Sequence, residues 1–347
     1  MWDVAIVGGG PGGASCASFC ATAGLRTVVL ERAVFPREKV CGDCVNPACW
    51  PVLERLGVAD ELRAAPHAKL TSIDFIDINE RTISAPFPAG EKAEISIRRS
   101  VLDQILLRRA ESLGAVVREG ETVLSLARDK VWRIQTHHGE EKTGFLVAAD
   151  GRNSTVARLC NLMPRKHPDR IALQTHIPLP PDFGRRIVLQ LLPEGYSGQA
   201  PVGEGLLNLC LVSRPNDRAA IKRWAENTFA IPPDHGWRTI APLARVALPP
   251  SRPGLFLVGD AARVVEPFTG EGIYYALRSG ELAAKAICNR DESAYATAHR
   301  RLYAGRLWVN QLARFAVEHP GLTSRLLEFL PNEQPLLRFL TSKVVHA

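Results

Sequence analysis

The sequence has no uninterrupted apolar stretch of about 18 residues, the length that a membrane-spanning helix requires. Strand-like residues begin at Trp2, which leaves no room for a basic and apolar leader, so we expect a cytoplasmic protein. Lys and Arg do not form clusters with interleaved aromatic residues, and we therefore expect no nucleic-acid partner. The net charge of +7 suits an anionic cofactor, an acidic substrate or an anionic membrane surface.

The chain has 347 residues, and its eight cysteines predict reduced thiols rather than a disulfide framework, because we expect no secretory leader. Cys41 and Cys44 form a C-x-x-C pair. No second pair and no suitably spaced pair of histidines completes a zinc set, so we expect no metal site.

The start of the chain predicts a compact β-α-β unit. The apolar run from Asp3 to Val7 and the run from Thr27 to Leu30 are typical of buried strands, and the small residues from Gly12 to Gly24 favour a helix between them. Parallel strands need such a crossover helix.

The segment from Gly8 to Gly13 joins the first strand to this helix and reads Gly-Gly-Gly-Pro-Gly-Gly. Gly8 permits a tight turn, Gly10 lets the backbone approach a pyrophosphate, and Gly13 lets the helix pack closely on the strand. The helix N-terminus attracts phosphates, and Glu31 at the end of the second strand can accept hydrogen bonds from ribose hydroxyls. This pattern predicts a dinucleotide site, but it does not distinguish NAD from FAD.

The remaining patterns predict an α/β fold with a discontinuous Rossmann-type domain. Alternating residues from Ile187 to Leu191 and from Leu206 to Val212 favour an antiparallel, β-rich substrate domain, while Ser100 to Leu113 and Glu271 to Cys288 favour helices. We predict an FAD-binding domain at 1–69, 99–160 and 251–290, a substrate domain at 70–98 and 161–250, and a C-terminal helical segment at 291–347.

Two further motifs select the cofactor. Residues 147–154 read Val-Ala-Ala-Asp-Gly-Arg-Asn-Ser and resemble the Asp-Gly motif of the p-hydroxybenzoate-hydroxylase-like flavoproteins. Residues 259–262 read Gly-Asp-Ala-Ala, and with the segment from Pro267 to Ile273 they resemble the second flavin signature of the same families. The resemblance implies FAD, with Asp260 on the ribityl hydroxyls and the amides at Gly270 to Ile273 beside the ring system.

Arg99 starts an Arg-x-x-Leu-Asp-x-x-Leu segment, which in these flavoproteins places a guanidinium near the cofactor. The residues that we predict to bind FAD are Gly8, Gly10, Gly13, Glu31, Arg32, Arg99, Val123, Asp150, Gly259, Asp260, Pro267, Gly270, Gly272 and Ile273.

A third element resembles the geranylgeranyl reductases. The run from Pro36 to Gly42 matches their Pro-Arg-x-Lys-x-Cys-Gly pattern, and the resemblance implies a catalytic role for Cys41 near the flavin. We place Tyr196 as a second catalytic candidate, since it begins what remains of their Tyr-x-Trp-x-Phe-Pro element. Gly198 and Ala200 replace its Trp and Phe, so we expect a cavity that is wider or filled by another segment.

Cys44 and Cys49 imitate the redox disulfide of the glutathione reductase class. Those enzymes carry a second glycine motif for NAD(P) and an interface domain, and neither is evident in this sequence. We therefore expect both thiols to be buried and inert.

The C-terminal residues leave a weak contact with a membrane surface open, although ordinary amphipathic packing is the favoured interpretation. Basic residues outnumber the acidic ones with which they are compared in this segment: they are Arg300, Arg301, Arg306, Arg314, Arg325, Arg338 and Lys343, and the acidic residues are Glu318, Glu328 and Glu333.

Together these features predict an FAD-dependent oxidoreductase that uses NAD(P)H as a transient reductant and then oxygenates or reduces an apolar polyketide-, terpenoid- or aromatic-derived metabolite. A C=C reductase of prenyl lipids and a non-catalytic FAD-binding redox sensor are the alternatives. The sequence does not select NADH or NADPH, nor an oligomeric state.

Overall fold

The strands are distributed along most of the chain. The structure is a computed structural model that describes residues 1–164, 170–305 and 307–328. Its strands are β1 (Trp2–Val7), β2 (Thr27–Leu30), β3 (Cys44–Val45), β4 (Ala68–Lys69), β5 (Ser72–Ile76), β6 (Thr82–Pro86), β7 (Ile95–Ser96), β8 (Val116–Arg118), β9 (Val123–Arg128), β10 (Trp132–Thr136), β11 (Gly139–Ala148), β12 (Ile171–Pro178), β13 (Arg186–Leu192), β14 (Gly195–Gly203), β15 (Leu206–Ser213), β16 (Arg238–Ile240), β17 (Ser251–Arg252) and β18 (Leu255–Leu257).

The α-helices lie between these strands and at the end of the described chain. They are α1 (Pro11–Thr22), α2 (Trp50–Leu56), α3 (Ala59–Ala64), α4 (Arg99–Ser112), α5 (Thr155–Leu159), α6 (Arg218–Thr228), α7 (Gly272–Asn289), α8 (Glu292–Tyr303), α9 (Leu307–Glu318) and α10 (Pro320–Glu328). Among the described residues, no helix combines the length and the apolar character needed to cross a membrane.

The first sheet is the Rossmann-type layer that the sequence predicts. Its parallel strands follow the order β8, β2, β1, β11 and β18, and β9, β10 and β17 extend it with antiparallel pairs. Helices α1 and α7 pack closely, because a Cβ on Gly280 would overlap the carbonyl oxygen of Gly12. The α/β fold with a Rossmann-type layer is thus confirmed.

The second sheet follows the order β16, β12, β15, β14, β13, β5 and β6. Its neighbours are antiparallel except β5 and β13, which are parallel. Strands β5 and β6 come from the predicted 70–98 segment and join strands of the 161–250 segment. A small third sheet has the strand order β3, β7 and β4, and all three strands come from the first hundred residues.

Some elements differ from the sequence prediction. Helices α2, α3 and α6 were not predicted, because each is too short to show a long apolar period. The first of them is nevertheless anchored in the core, since Trp50 and Leu53 are fully buried and Gly57 ends it in a left-handed conformation. Strand β11 begins at Gly139 rather than Phe145, since its charged first half pairs with β10 as an exposed hairpin.

Candidate functional site

A cavity of about 370 Å³ brings the separated motifs together. Gly10 and Gly12 reach it from the glycine loop, Gly151 from the Asp-Gly motif, and Asp260 and Gly270 from the third motif. These positions are far apart in the sequence, and the carboxyl ends of the parallel strands bring them to one edge of the first sheet.

The glycine loop has the backbone geometry that its composition predicts. Gly8 has a φ of +106°, and a Cβ there would lie 2.5 Å from the carbonyl oxygen of Ala149. A Cβ on Gly13 would overlap the carbonyl oxygen of Gly8. Pro11 occupies the first turn of α1, and no side chain of the described residues caps this helix end. The first-turn amides are therefore oriented for an anion.

Glu31 is buried at the end of β2, with 6% of its surface exposed. Its carboxylate accepts hydrogen bonds from the amides of Gly9 at 2.7 Å and Ala33 at 2.9 Å. The carboxylate is thus held against the glycine loop. Arg32 is exposed beside it, whereas Val123 is buried in the core and does not line the cavity.

Arg99 lies in the cavity wall and forms a buried ion pair. Its Nε and Nη2 donate to the two carboxylate oxygens of Asp103 at 2.8 and 2.7 Å. Arg37 Nη1 lies 2.9 Å from the same carboxylate. Burial favours a raised pKa for Asp103, but the two guanidiniums hold it below the ordinary value, so this aspartate stays ionised.

Lys39 adds a third cation beside the glycine loop, which sequence reasoning did not select as a site residue. It lines the cavity, and burial together with the charge of Arg99 lowers the pKa of its ammonium to about 8. With Arg37 and Arg99, Lys39 forms a group of three cations around the buried carboxylate of Asp103. Cations beside a helix N-terminus suit the pyrophosphate of a dinucleotide.

Asp260 follows β18 and faces the cavity with its carboxylate 3.2 Å from Arg152 Nη2. Arg245 fixes the main chain here by donating to the carbonyl oxygens of Asp260 and Ala261. Gly259 has a φ of +54° and donates its amide to Ser279. The cluster of Arg152 and Arg245 around this turn was not predicted, because the two residues lie far apart in the chain.

The carboxylate of Asp150 lies at the start of α5, and its predicted role in binding the cofactor stays a prediction. It accepts hydrogen bonds from the amides of Thr155 at 2.6 Å and Val156 at 3.1 Å, at the start of α5. Ala149 and Gly151 line the cavity, but Asp150 does not. The Asp-Gly motif thus shapes the turn beside the site.

The segment from Pro267 to Ile273 forms the entry to α7. Gly270 has a φ of +69°, and Gly272 is the first residue of the helix. Pro267, Gly272 and Ile273 line the cavity with it, and within the described chain no side chain caps this helix. A second helix N-terminus therefore faces the cavity in addition to that of α1, and its dipole favours negative charge there.

Cys41 is half-buried in the cavity wall and is held through its main chain. Its carbonyl oxygen accepts from Asn208 Nδ2 at 2.9 Å and from the Cys210 thiol at 3.1 Å, and Gln174 Nε2 donates to Asn208 Oδ1 at 2.9 Å. Burial raises the pKa of the Cys41 thiol, although Arg99 opposes the shift. The thiol is therefore protonated at neutral pH.

A second buried pair supports the same loop. His176 Nε2 lies 2.8 Å from Asp43 Oδ2, and Asp43 is fully buried with a φ of +59°. Burial raises the pKa of Asp43 to about 6, with His176 opposing the shift. Sequence reasoning missed this pair, since nothing in the local pattern around His176 connects it with residue 43.

Tyr196 lines the cavity with its ring, which packs edge-on against Phe268 at 5.2 Å. Its hydroxyl lies 3.5 Å from Glu266 Oε1, and Glu266 forms a buried ion pair with Arg170 at 2.6 Å. The hydroxyl therefore faces a carboxylate of the protein, and its catalytic role stays a prediction.

The apolar part of the cavity shows what replaces the missing Trp and Phe. Gly198 and Ala200 line the wall on β14, as the sequence comparison implied. Phe268 packs against both Tyr196 and Phe75, and Leu312 on α9 closes the same side. The side chains of Phe268 and Leu312 thus fill part of the space that the small residues Gly198 and Ala200 leave open.

All eight cysteines are free in the structure. Cys49 is fully buried and lies 3.5 Å from Asn46 Oδ1, and burial raises the pKa of its thiol. Burial likewise raises the pKa of Cys44. Both thiols are therefore protonated, which disfavours a working dithiol.

The comparison with known families decides the cofactor. A family model described as "FAD binding domain" matches residues 1–178, more than half of the chain. The chain belongs to this flavoprotein family. The uncapped ends of α1 and α7, the close packing at Gly8 and Gly13 and the cations beside them fit such a cofactor.

Relatives of this flavoprotein include named reductases. It is 30% identical over 325 residues to a menaquinone reductase of Mycolicibacterium smegmatis, covering 85% of this chain and 78% of that protein. It is 28% identical over 316 residues to a digeranylgeranylglycerophospholipid reductase of Thermoplasma acidophilum, with 84% and 79% covered. The resemblance to the geranylgeranyl reductase branch is thus confirmed, and the protein is an FAD-dependent oxidoreductase.

Solved structures show the same fold. A flavoprotein/dehydrogenase from Cytophaga hutchinsonii has a TM-score of 0.81 at 20% identity, with 99% of this chain and 92% of that chain covered. A protein described as a probable FAD-dependent monooxygenase from Pseudomonas aeruginosa has a TM-score of 0.74 at 21% identity, and both chains are covered completely.

Proposed function

We propose that this flavoprotein reduces a carbon–carbon double bond of an apolar metabolite, with NAD(P)H as a transient reductant. The observation that carries the proposal is a single cavity that has Cys41 and the glycine loop in one part of its wall and an apolar surface in the other. FAD, when bound, supplies hydride transfer.

The residues of the chain have separate roles in this proposal. The N-termini of α1 and α7 bind negative charge, and Lys39 and Arg99 neutralise the phosphates. Asp260 orients the ribityl chain. Cys41 Sγ carries a proton at neutral pH, because burial raises its pKa, and it donates this proton to the substrate carbon opposite the one that receives hydride.

The names of the relatives support reduction. The mycobacterial relative and the archaeal relative are both named reductases, and each aligns with more than four fifths of this chain. Because Gly198 and Ala200 replace the large residues of the prenyl-pocket element, we do not assign a geranylgeranyl substrate. Terpenoid, polyketide and aromatic skeletons with an isolated double bond are the proposed class.

Oxygenation is the second candidate. The structure from Pseudomonas aeruginosa that carries the monooxygenase description shares this fold over its whole length. Product mass separates the two reactions: reduction adds two hydrogens and proceeds without O2, whereas oxygenation adds one oxygen atom and needs O2.

The decisive experiment is anaerobic turnover of purified holoprotein with NADH or NADPH and an apolar alkene library. We expect products that have gained two hydrogens. Products that gain oxygen, and only in air, would replace reduction by oxygenation. The absence of any substrate-dependent turnover of NAD(P)H would favour the redox-sensor alternative.

A weak membrane-surface contact stays a prediction. Leu312, Phe315, Leu322 and Leu326 on α9 and α10 each expose more than two fifths of their surface, which suits transfer of an apolar substrate from a lipid phase. Part of the predicted contact lies outside the described residues, namely Arg306, Glu333, Arg338 and Lys343. The cytoplasmic location and the domain boundaries likewise stay predictions.

A further inference from the structure

Glu94 is a carboxylic residue in the wall of the cavity that the proposed chemistry does not use. It is buried, with 6% of its surface exposed. Its main chain is fixed, since its carbonyl oxygen accepts from the amide of Leu70 at 3.0 Å and the preceding carbonyl of Ala93 accepts from Trp50 Nε1 at 2.9 Å. The position of this side chain is therefore built into the fold.

The surroundings of Glu94 do not offer a counter-charge. Within residues 1–164, 170–305 and 307–328, its carboxyl forms no hydrogen bond or ion pair, and burial is the only influence on its pKa. Cys44, Ile73 and Phe87 line the cavity with it. An isolated buried carboxyl destabilises a protein unless it is neutral or finds a partner, so retention of one in an apolar wall favours a function.

The ionisation state of Glu94 fits its apolar surroundings. Burial alone raises the pKa of Glu94 to about 8. At neutral pH the group is therefore mostly a neutral acid, which can donate an O–H hydrogen bond. A neutral donor in an apolar wall is suited to bind an uncharged acceptor and would not require a cationic ligand.

We propose that Glu94 donates a hydrogen bond to a carbonyl oxygen of an otherwise apolar substrate. The inference rests on the proposed function, because it assumes that the apolar part of the cavity holds the substrate. It narrows the substrate class to apolar ketones, quinones or esters that contain a reducible double bond. It also makes Glu94 a specificity-determining residue, since a buried donor left without an acceptor disfavours a plain hydrocarbon.

The test compares two probes of one skeleton, α-tetralone and its hydrocarbon tetralin. Each is titrated into the oxidised holoprotein, and binding is followed by the change in the visible flavin spectrum. Three variants are measured beside the native protein: Glu94→Leu, Glu94→Gln and the exposed Glu91→Gln as matched control. Flavin content and thermal melting show whether each variant is folded.

We expect Glu94→Leu to weaken α-tetralone binding about tenfold, the size of one buried hydrogen bond, and to leave tetralin binding equal or tighter. Glu94→Gln keeps an N–H donor and should retain most of the ketone affinity. Glu91→Gln should match the native protein. Equal ketone affinity in the native and Leu proteins would overturn the role of Glu94 while the proposed function stands, whereas failure of the native protein to bind either probe would overturn both.

A pH titration gives a second measurement that needs no Leu variant. Native ketone affinity should fall as the pH rises through about 8, because the carboxyl then loses its proton. The thiols of Cys44 and Cys49 sense this carboxyl and stay protonated in this range, whereas Lys39 titrates near the same pH. In Glu94→Gln the ketone affinity should no longer fall with pH. If it still falls, Lys39 is the titrating group and the proposal is contradicted.

Discussion

At the cofactor end of the cavity the wall consists mostly of main chain and charge, whereas at the other end it consists mostly of apolar side chains. Gly10 and Gly270 lie at two helix N-termini, with Lys39 and Arg99 nearby. Phe75 and Leu312 come from a sheet and a late helix and meet only in the folded chain. The first end therefore leaves no room for a side chain at Gly8 and Gly13, while the second can change its side chains and with them its substrate.

The largest effect should follow a change in the glycine loop. Gly13→Ala places a methyl group on the carbonyl oxygen of Gly8, and the backbone must move to relieve the overlap. We expect purified protein without flavin absorbance. Gly236→Ala is the control, since a Cβ there meets nothing within 4 Å. Normal flavin content in Gly13→Ala would show that the loop does not need close packing.

Asp260→Ala should have the next largest effect. Loss of the carboxylate that we propose to accept hydrogen bonds from the ribityl chain should weaken FAD binding about 10- to 100-fold. The flavin content after gel filtration measures it. Asp129→Ala, at an exposed aspartate that pairs with Arg133, is the control and should keep its flavin. Stoichiometric flavin in Asp260→Ala would argue against the assigned contact.

Cys41→Ala changes a residue that we place between the cofactor end and the apolar end of the cavity. The variant should keep FAD, because the substitution retains the Cys41 carbonyl oxygen, which accepts hydrogen bonds from Asn208 and Cys210 and so holds the loop. Turnover should fall about tenfold or more, since the variant lacks the thiol that we propose as the proton donor. Cys288→Ala removes an exposed thiol and should be fully active. Undiminished turnover in Cys41→Ala would leave that residue with a packing role alone.

The smallest expected effect concerns pH and Lys39. The ammonium is charged below its pKa of about 8 and neutral above it, so FAD affinity of the apoprotein should fall several-fold between about pH 7 and about pH 9. Isothermal titration at several pH values measures this. Lys39→Gln should show weaker binding with a flatter profile, and an unchanged profile would assign the pH dependence to another group.

The lowered pKa of Lys39 also determines how the free energy of unfolding changes with pH. Between about pH 8 and the ordinary lysine value of 10.5, the unfolded chain holds the proton on Lys39 and the folded chain does not. The contribution of Lys39 to the free energy of unfolding therefore rises with pH across this window. Thermal melting of the native apoprotein and of Lys39→Gln should show the difference.

The β-α-β opening, its glycine loop and the helices α4 and α7 were predictable from the sequence, because each depends on residues that are close in the chain. Gly8 and Gly13 belong to one short loop and helix start, and the apolar period of a long helix is visible in its own residues. The flavin signature around Asp260 was recognisable for the same reason. The direction of the Asp150 carboxylate was not predictable, since an Asp-Gly motif does not show whether its side chain faces a cavity or the start of a helix.

Other features of the site arise from contacts between residues that are far apart in the chain. The Asp43–His176 pair, the Asn208 contact to Cys41 and the closing of the apolar wall by Leu312 join residues from different layers, and no local period contains them. Glu94 has the sequence surroundings of an exposed loop, between charged residues and a short strand. Its burial, and with it the neutral acid in the cavity wall, arises because desolvation is set by everything that packs around a group and not by its neighbours in the chain.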